Sequence, residues 1–316
     1  MGLRNALRRH LYMPLSRAYA RRFVGERPAD PIMRGLVSLH FYEVHRYWPH
    51  LKRPRSFEEK VNYRMLFDRN PLWTLFSDKL RVRDYVRDRV GEKSLVPLLW
   101  SGENPEDIPF DRLPQKFVLK ANHGCGYNLV VTDKARLAQA KAKQQLRRWC
   151  EENFCDDTHL GHAWGYRNVK PMVMVEAFLE ENGHAAVDYK FECFSGRAEY
   201  VQMNFDRFGD PYEKFFDREF HPLDLWQGTR QYPHPVPRPP NYDEMIRVSE
   251  TLAQGLDFIR VDLYSIGGRT YFGELTCYPS AGSTPFIPES YDFEWGQKWK
   301  LDLASAGGHP SGVRVA

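Results

Sequence analysis

The sequence predicts an α+β protein whose sheets are mainly antiparallel. Three stretches of alternating apolar residues turn back on themselves at glycines, as β-hairpins do: 116–131, 186–207 and 260–275. The third turns at Gly267-Gly268, and glycine supplies the positive φ angles that tight hairpin turns need. An amphipathic helix precedes each hairpin: 78–93, 135–154 and 241–256, the last capped by Asn241. Helices and hairpins that alternate in this way indicate an α+β fold.

Local signals place the remaining elements. Ser56, followed by Glu58 and Glu59, suits a helix start, because acids are favoured at the positive end of the helix dipole. Residues 169–180 read as a buried strand that breaks into a hinge-like segment. The stretch 222–240 is rich in proline and glycine and is predicted to be a loop.

Composition narrows the class of protein. The 316 residues are 42% hydrophobic and 14% aromatic, which is enough for a substantial folded core. No apolar run approaches the roughly 18 residues that span a bilayer, and no secretory signal is expected. The five cysteines are odd in number and lack a framework spacing, which favours the reducing cytoplasm. The net charge is +4, and no nucleic-acid-binding motif accompanies it, so we expect no nucleic-acid partner.

The N-terminus concentrates the positive charge. Six arginines precede the first acid, Glu26, and Leu3, Leu7 and Leu11 recur every four residues. A basic amphipathic helix of this kind can lie on the inner face of the membrane. The alternative, which we favour, is a solvated face on a helix packed against its own protein.

A lysine and a glycine loop point to phosphate binding. Lys120 ends the apolar strand KFVLK and is followed by NHGCG, which contains Gly124 and Gly126. Backbone N–H groups and one fixed cation can cradle a polyphosphate, although the Walker pattern is absent. An ordinary hairpin turn is the alternative. Taken alone, the charged run that contains Lys79 and Arg83 reads as a solvated helix face.

The third hairpin carries two acids among apolar neighbours. Asp262 and Glu274 are predicted to lie on adjacent strands, where their charges are costly unless something pairs with them. With Thr276 they would suit Mg²⁺, which prefers oxygen ligands, and Arg260 would face the phosphate that the ion carries. The alternative is that Arg260 forms a salt bridge with one of the acids. Glu176, which ends a buried strand, could accept a hydrogen bond from an adenine amino group.

The order of these features resembles that of the ATP-grasp ligases, and within them the TupA-like amidoligases of teichuronopeptide biosynthesis. The shared motifs are DK-x-x-VR-x-YV, FVLK-x-NHG-x-G, DYKF-x-CF-x-G, RVDLY and FGELT-x-x-P-x-AG, over residues 45–300. The resemblance implies two antiparallel α+β subdomains that grip ATP, at 76–180 and 181–300. They would follow a basic helical region at 1–75 and precede a flexible tail at 301–316.

The resemblance also implies roles for individual residues. Those expected to bind ATP are Lys79, Lys120, Asn122, His123, Gly124 and Gly126 at the phosphates, Glu176 and Leu179 at adenine, and Asp188 at the ribose. Lys190 would lie near the phosphates or the substrate, and Arg260 would stabilise the transition state. Asp262, Glu274 and Thr276 would hold Mg²⁺. Many family members have asparagine in place of Thr276, so this ligand departs from the pattern.

The implied activity is an ATP-dependent carboxylate–amine ligase of cell-surface polysaccharide or peptide-polymer biosynthesis, acting through an acyl-phosphate. Its partners would be a carboxylate substrate and an amine acceptor. The acceptor pocket is expected in 204–214, 222–240 and 280–288, where Arg207 and Lys214 could neutralise an acid or simply be solvated charges. Two alternatives stay open: a metal-dependent glycosyltransferase and a non-catalytic ATP-grasp module.

A zinc site is a further reading of one short segment. Cys150, Cys155, His159 and His162 lie close together in sequence, but their spacing does not match a common zinc finger. We therefore expect buried cysteines and surface histidines there.

Overall fold

The computed structural model describes residues 31–157, 163–181, 183–205 and 211–301. Its α-helices are α1 Pro31–His45, α2 Phe57–Phe67, α3 Pro71–Ser77, α4 Val82–Val90, α5 Gln139–Glu151, α6 Phe154–Asp157, α7 Trp164–Arg167, α8 Tyr242–Ala253 and α9 Ser290–Lys298. Its longer strands are β1 Leu98–Gly102, β2 Phe117–Ala121, β3 Asn128–Val131, β4 Val173–Ala177, β7 Asp188–Phe194, β8 Arg197–Phe205, β9 Tyr212–Asp217, β12 Phe258–Ile266 and β13 Arg269–Thr276. Two-residue strands are β5 Glu180–Glu181, β6 His184–Ala185, β10 Trp226–Gln227, β11 Arg230–Gln231 and β14 Phe286–Ile287.

A small sheet has the strand order β1-β4-β2-β3 and is antiparallel throughout. Strands β2 and β3 form the predicted first hairpin around the glycine loop. The buried side chains of Phe117 and Leu119 point to one face of β2, because side chains alternate along a strand. Helix α5 covers that face with Ala142 and Leu146. The opposite face of β2 is therefore free to present Lys120.

A larger sheet has the order β11-β9-β8-β7-β12-β13, and all its pairs are antiparallel except the short β11–β9 pair. Along β7 and β12 the apolar residues Phe191, Val261 and Leu263 face a core that helix α8 closes with Met245 and Leu252. The alternate residues of the same strands are charged. One face of this sheet is thus a core and the other a polar surface, which is why the acids of the third hairpin share one side.

Both predicted hairpins of the larger sheet are confirmed, with turns between Phe194 and Arg197 and between Ile266 and Arg269. The stretch 222–240 is mainly loop, as predicted, but contains β10 and β11. The helix expected over 78–93 is shorter, because the Asp78 carboxylate accepts hydrogen bonds from the N–H groups of Leu80 and Arg81 in a separate turn.

The two helix starts were predicted with different success. Ser56 caps α2 and forms a capping box with Glu59, as its sequence predicts. The prediction that the Asn241 side chain caps α8 is wrong, since it makes no capping hydrogen bond. It instead donates to the Thr270 hydroxyl and accepts from that of Ser265, so it ties the helix to the third hairpin.

Several sequence predictions concern residues outside the described ranges. They are the basic N-terminal helix, the tail from residue 302 onward, Arg207, and the two histidines of the possible zinc site, His159 and His162. Cys155 is buried and donates to the Ala163 carbonyl at 2.8 Å, as a packed cysteine would. Within the described ranges, no helix is long and apolar enough to cross a membrane.

Candidate active site

A cleft lies between the two sheets and is lined by residues of both. The small sheet contributes Lys120 and Glu176, the glycine loop contributes Gly126, and the larger sheet contributes Lys190, Asp262 and Glu274. These residues are distant in sequence, and the fold brings them together as predicted. Leu179 and Asp188 line the same cleft.

Glu176 stands between two cations on the small-sheet side. Its Oε2 accepts a hydrogen bond from Lys120 Nζ at 2.6 Å, and its Oε1 accepts one from Arg83 Nη1 at 2.9 Å. Arg83 also donates to the Val96 carbonyl and is buried. The prediction that Arg83 belongs to a solvated helix face is therefore wrong, because the end of β4 places a carboxylate against this side of α4. Arg83 positions Glu176 and, through it, Lys120.

Lys79 and the glycine loop lie together at the part of the cleft that is expected to bind phosphate. Lys79 Nζ donates to the Gly124 carbonyl, and its backbone N–H donates to the Asn122 carbonyl at 3.1 Å. The Asn122 side chain is directed inward: it donates to Asp78 and to the Lys170 carbonyl and accepts from the Met172 N–H at 2.7 Å. Asn122 thus anchors the base of the loop, and its contact with ATP stays a prediction.

His123 also supports the loop from within. Its Nε2 lies 2.9 Å from the Trp149 carbonyl and 3.2 Å from that of Glu152, the geometry of a ring N–H donor. Burial lowers the pKa of His123 and so favours the neutral ring, and the two carbonyls favour the tautomer with its proton on Nε2. Neither Asn122 nor His123 lines the cleft, so both act as structural supports here, and the expected contact of His123 with ATP also stays a prediction.

Gly124 lets the loop pack closely against the ring of Tyr127. A Cβ added there would lie 2.5 Å from the Tyr127 ring, which stacks on Trp149 and donates to Glu152 at 3.0 Å. Because the ring is held on two sides, we expect Gly124→Ala to displace the loop and weaken ATP binding by on the order of tenfold. Isothermal titration with ATP measures the effect. Gly35→Ala, where a Cβ meets nothing within 4 Å, is the control, and equal affinities in the two variants would contradict the assignment.

Cross-strand pairing aligns the charged groups of the larger sheet in rows. Asp262 is paired with Glu274 on one side and with Lys190 on the other. Arg260 is paired with Thr276 and with Glu192 in the adjacent row. The prediction that the two acids lie on adjacent strands is confirmed, and a β-bulge between Asp262 and Leu263 sets them directly opposite each other.

Asp262 is held by two cations. Arg260 donates to both of its oxygens, from Nε at 2.7 Å and from Nη2 at 2.8 Å, and Lys190 Nζ donates to Oδ2 at 2.8 Å. Burial alone would raise the pKa of Asp262, but Arg260 and Lys190 together hold it well below its usual range. The salt-bridge alternative considered for Arg260 therefore describes this structure, and it leaves Asp262 charged.

Glu192 is a buried acid that sequence reasoning missed. Its Oε2 has no hydrogen-bond partner, and burial raises its pKa from 4.5 to about 8. Nearby Arg260 lowers the pKa, but not enough to offset burial. A polar residue at the alternate position of DYKFE, in phase with Asp188 and Lys190, was the signal that could have located it.

The pKa of Glu192 predicts a pH dependence of stability. Between about 4.5 and about 8 the folded protein keeps a proton that the unfolded chain loses, so the free energy of unfolding falls as pH rises. Relative to wild type, we expect Glu192→Gln to remove a slope of up to about 1.4 kcal/mol per pH unit. Urea denaturation at several pH values between 5 and 8 tests this, with the exposed Glu219→Gln as control. Parallel curves for wild type and Glu192→Gln would show the prediction to be wrong.

The acid pair has the donor chemistry that Mg²⁺ requires. Asp262 and Glu274 present carboxylate oxygens to the cleft, and the Glu274 side chain is 36% exposed. The Thr276 hydroxyl donates to Glu274 Oε1 at 3.1 Å and accepts from Arg260 at 3.2 Å, and it does not line the cleft. Among the described residues, no three His, Cys, Asp or Glu side chains form a metal-binding group. A Mg²⁺ ion held by these two carboxylates would need further oxygen ligands to complete its coordination.

The loop after β13 has an unusual backbone. Ser280, Ala281 and Gly282 follow one another with φ of +47°, +55° and +61°, a region that costs non-glycine residues about 1 kcal/mol each. His45 Nε2 bonds to the Gly282 carbonyl at 3.1 Å, and His40 Nε2 bonds to the Ser283 hydroxyl at 3.2 Å. Helix α1 thus supports part of the expected acceptor pocket, a contact that no sequence motif indicates.

Two mainly antiparallel sheets around a cleft of lysines and acids are the arrangement that the motifs predict for an ATP-grasp protein. Residues 59–300 match the family described as TupA-like ATPgrasp. The chain therefore belongs to the TupA-like ATP-grasp family. No curated protein matches the sequence.

Solved structures give weaker similarities. D-alanine–D-alanine ligase from Bacillus anthracis is 17% identical over 64% of this chain and 57% of its own, with a TM-score of 0.38. The enzyme from Helicobacter pylori is 14% identical over 71% of this chain and 61% of its own, with a TM-score of 0.39. An ADP complex of N5-carboxyaminoimidazole ribonucleotide synthetase is 12% identical over 66% of this chain and 46% of its own, with a TM-score of 0.43. This chain thus spans less than two thirds of the length of each.

Proposed function

We propose that the protein is an ATP-dependent carboxylate–amine ligase that forms an amide through an acyl-phosphate. The observation that carries the proposal is one cleft lined by Lys120, Lys190 and the acid pair Asp262 and Glu274, with Arg260 paired to Asp262. Separate cations and a pair of carboxylates suit a triphosphate with its divalent ion. Membership of the ATP-grasp family supports the same conclusion.

The reaction has two balanced steps. In the first, a substrate carboxylate oxygen attacks the γ-phosphorus of ATP, and the bond to the β,γ-bridging oxygen breaks to release ADP. In the second, an amine nitrogen attacks the acyl carbon, the C–O bond to phosphate breaks, and the nitrogen loses a proton. Neither step needs a protein nucleophile, so positioning and charge stabilisation are the contributions left to the protein.

The side chains divide these contributions. Lys79 and Lys120 would bind the phosphates, with Lys120 oriented by Glu176 and Arg83. Glu176 and Leu179 would bind adenine and Asp188 the ribose, the expectation that the family resemblance supplies. Arg260 would stabilise negative charge on the transferring phosphoryl group. Mg²⁺ held by Asp262 and Glu274 would neutralise phosphate charge.

The proposed substrates are a carboxylate and an amine of a cell-surface polysaccharide or peptide polymer, and the proposed location is the cytoplasm. The TupA-like family supports the pathway. The acceptor site is proposed beside the loop that follows β13, which His40 and His45 of α1 hold in place.

Ligand-dependent melting tests the nucleotide. We would titrate the protein with ATP and with a panel of nucleotide sugars, each with and without Mg²⁺. A ligand at a hundred times its dissociation constant stabilises by about 2.7 kcal/mol when it binds only the folded state. We expect stabilisation by Mg²⁺–ATP that Lys120→Ala and Glu274→Ala abolish. Lys116→Ala, whose side chain pairs with Glu180 outside the cleft, should leave it unchanged. Stabilisation by a nucleotide sugar and not by ATP would refute the ligase and favour a glycosyltransferase.

A further inference from the structure

Lys190 and Arg260 both bind Asp262, an expected metal ligand, and of the two only Lys190 lines the cleft. Its Nζ lies 2.8 Å from Asp262 Oδ2 and 3.3 Å from Asp188 Oδ2, and its side chain is 14% exposed. The pairing of β7 with β12 sets Lys190 directly opposite Asp262. The ammonium therefore sits between two carboxylates at the floor of the cleft, in contact with the one expected to hold Mg²⁺.

Asp262 has little capacity left for another cation in this arrangement. Arg260 occupies both of its oxygens, and Lys190 shares one of them. A divalent ion at Asp262 would approach two positive side chains at close range, where Coulomb repulsion is strong. The protein also offers the ion few ligands, since among the described residues no group of three His, Cys, Asp or Glu side chains is placed to hold a metal.

Bound ATP would reduce the repulsion at Asp262 and would also supply the missing metal ligands. Its phosphate oxygens supply the ligands that a site with two carboxylates lacks. They also supply anionic partners for the Lys190 ammonium, which can leave Asp262 without losing all of its charge pairing. Lys190 keeps Asp188 as a second partner throughout, so a rotation of its flexible side chain is sufficient for the exchange.

We propose that Lys190 holds the place of the divalent cation at Asp262 until the nucleotide binds, so that the metal enters with ATP and not before it. This inference rests on the proposed ATP-dependent function and assigns Lys190 as the residue that sets the order of binding. Because linkage is reciprocal, the metal should raise the affinity for ATP by the same factor as ATP raises the affinity for the metal.

Titration with Mn²⁺ alone, followed by the loss of the free-ion signal in electron paramagnetic resonance, tests the inference without any turnover. Wild type should bind Mn²⁺ weakly in the absence of nucleotide. Lys190→Met removes the charge and keeps the approximate length of the side chain, so we expect Mn²⁺ to bind about tenfold more tightly, or tighter still, without ATP. The factor by which ATP increases Mn²⁺ affinity should shrink correspondingly.

Two further variants separate charge from other effects. Lys190→Arg retains the positive charge and should keep the weak Mn²⁺ binding of wild type, even if the geometry is perturbed. Lys79→Met removes a cleft lysine whose Nζ contacts the Gly124 carbonyl and no carboxylate, so it should weaken ATP binding but leave binding of Mn²⁺ alone unchanged. Circular dichroism confirms that each variant is folded.

The outcomes are distinct from those of the proposed function. Equal Mn²⁺ affinity in wild type and Lys190→Met, without nucleotide, would overturn the inference, as would tighter binding in Lys190→Arg. Failure of wild type to bind ATP in the presence of Mg²⁺ would instead refute the proposed function, whatever the Mn²⁺ titrations give. Weak Mn²⁺ binding in wild type, Lys190→Arg and Lys79→Met, together with tighter Mn²⁺ binding in Lys190→Met, would support the ordered entry of the metal.

Discussion

Replacement of Arg260 by methionine should lower kcat by on the order of 10³-fold while changing the KM for ATP much less. The guanidinium donates two hydrogen bonds to Asp262 and one to Thr276, which fixes it beside the acid pair. In the proposed function a charge fixed in this way would stabilise the transferring phosphoryl group without reorganisation, whereas Lys79 and Lys120 would bind ATP in its ground state. The loss should therefore appear in turnover, measured as ADP release with an acid–amine pair that the wild type converts.

Two comparisons make this result specific. Arg260→Lys should not restore activity, because an ammonium cannot reproduce the two-pronged contact with Asp262. Arg218→Met removes a partly buried arginine that pairs with Glu250 away from the cleft, and its kcat should stay within about twofold of wild type. A kcat for Arg260→Met within tenfold of wild type, or an equal loss in Arg218→Met, would contradict the assignment.

The second large effect concerns stability. Arg64 is fully buried, donates to the Phe258 carbonyl at 2.9 Å and pairs with Asp257 at 2.5 Å. Its guanidinium also lies over the rings of Trp73 and Trp299, at 4.3 and 4.4 Å from their centroids. Removal of one partner of a buried ion pair is strongly destabilising, so we expect Arg64→Met to lower the free energy of unfolding by on the order of 3 kcal/mol.

Urea denaturation measures this loss as a lower midpoint urea concentration, with an unchanged dependence of the free energy of unfolding on urea. Arg87→Met is the matched control, because Arg87 forms its ion pairs on the surface of α4 and should not shift the midpoint. An unchanged midpoint in Arg64→Met would mean that the aromatic cage, and not the charge, holds this part of the core. The nucleotide cleft lies apart from Arg64, so its ligand binding provides a check that the folded form is intact.

The elements predicted correctly from sequence are those fixed by local patterns. The hairpin turn at Gly267-Gly268 sets the pairing from Ile266–Arg269 to Leu263–Phe272, as turn and alternation predict. The pairing of Asp262 with Glu274 also needs a β-bulge at Gly273, which the turn does not determine. The capping box of α2 is likewise encoded by Ser56 and Glu59, which are three residues apart. The order of the motifs along the chain also identified Lys79, Lys120, Asp262 and Glu274 as residues of one site.

The features that were missed depend on partners distant in the chain. Arg83 looks like a surface charge until Glu176, 93 residues away, is known to meet it. Its position three residues before the buried Val86 was a local hint, since residues three apart share a helix face. The roles of His40 and His45 were inaccessible for the same reason, because the loop that they hold lies more than 230 residues later.

The glycine loop shows a second kind of limit. The motif NHGCG correctly predicts a tight loop between two strands, but a motif does not say which side chains face the ligand. The side chains of Asn122 and His123 form hydrogen bonds with backbone carbonyls, a backbone N–H and Asp78 of the protein itself. Whether a polar residue in a loop binds a ligand or supports the backbone depends on the surrounding fold, which here includes α5 and the segment before β4.

The most direct test of the ligase is the fate of an oxygen atom. When a substrate acid labelled with ¹⁸O in its carboxylate is converted to amide, the acyl-phosphate route transfers one labelled oxygen to inorganic phosphate and releases ADP. Mass spectrometry of the phosphate, with identification of the nucleotide product, measures both. We predict labelled phosphate together with ADP. Label in AMP, or unlabelled phosphate accompanied by amide formation, would contradict the account.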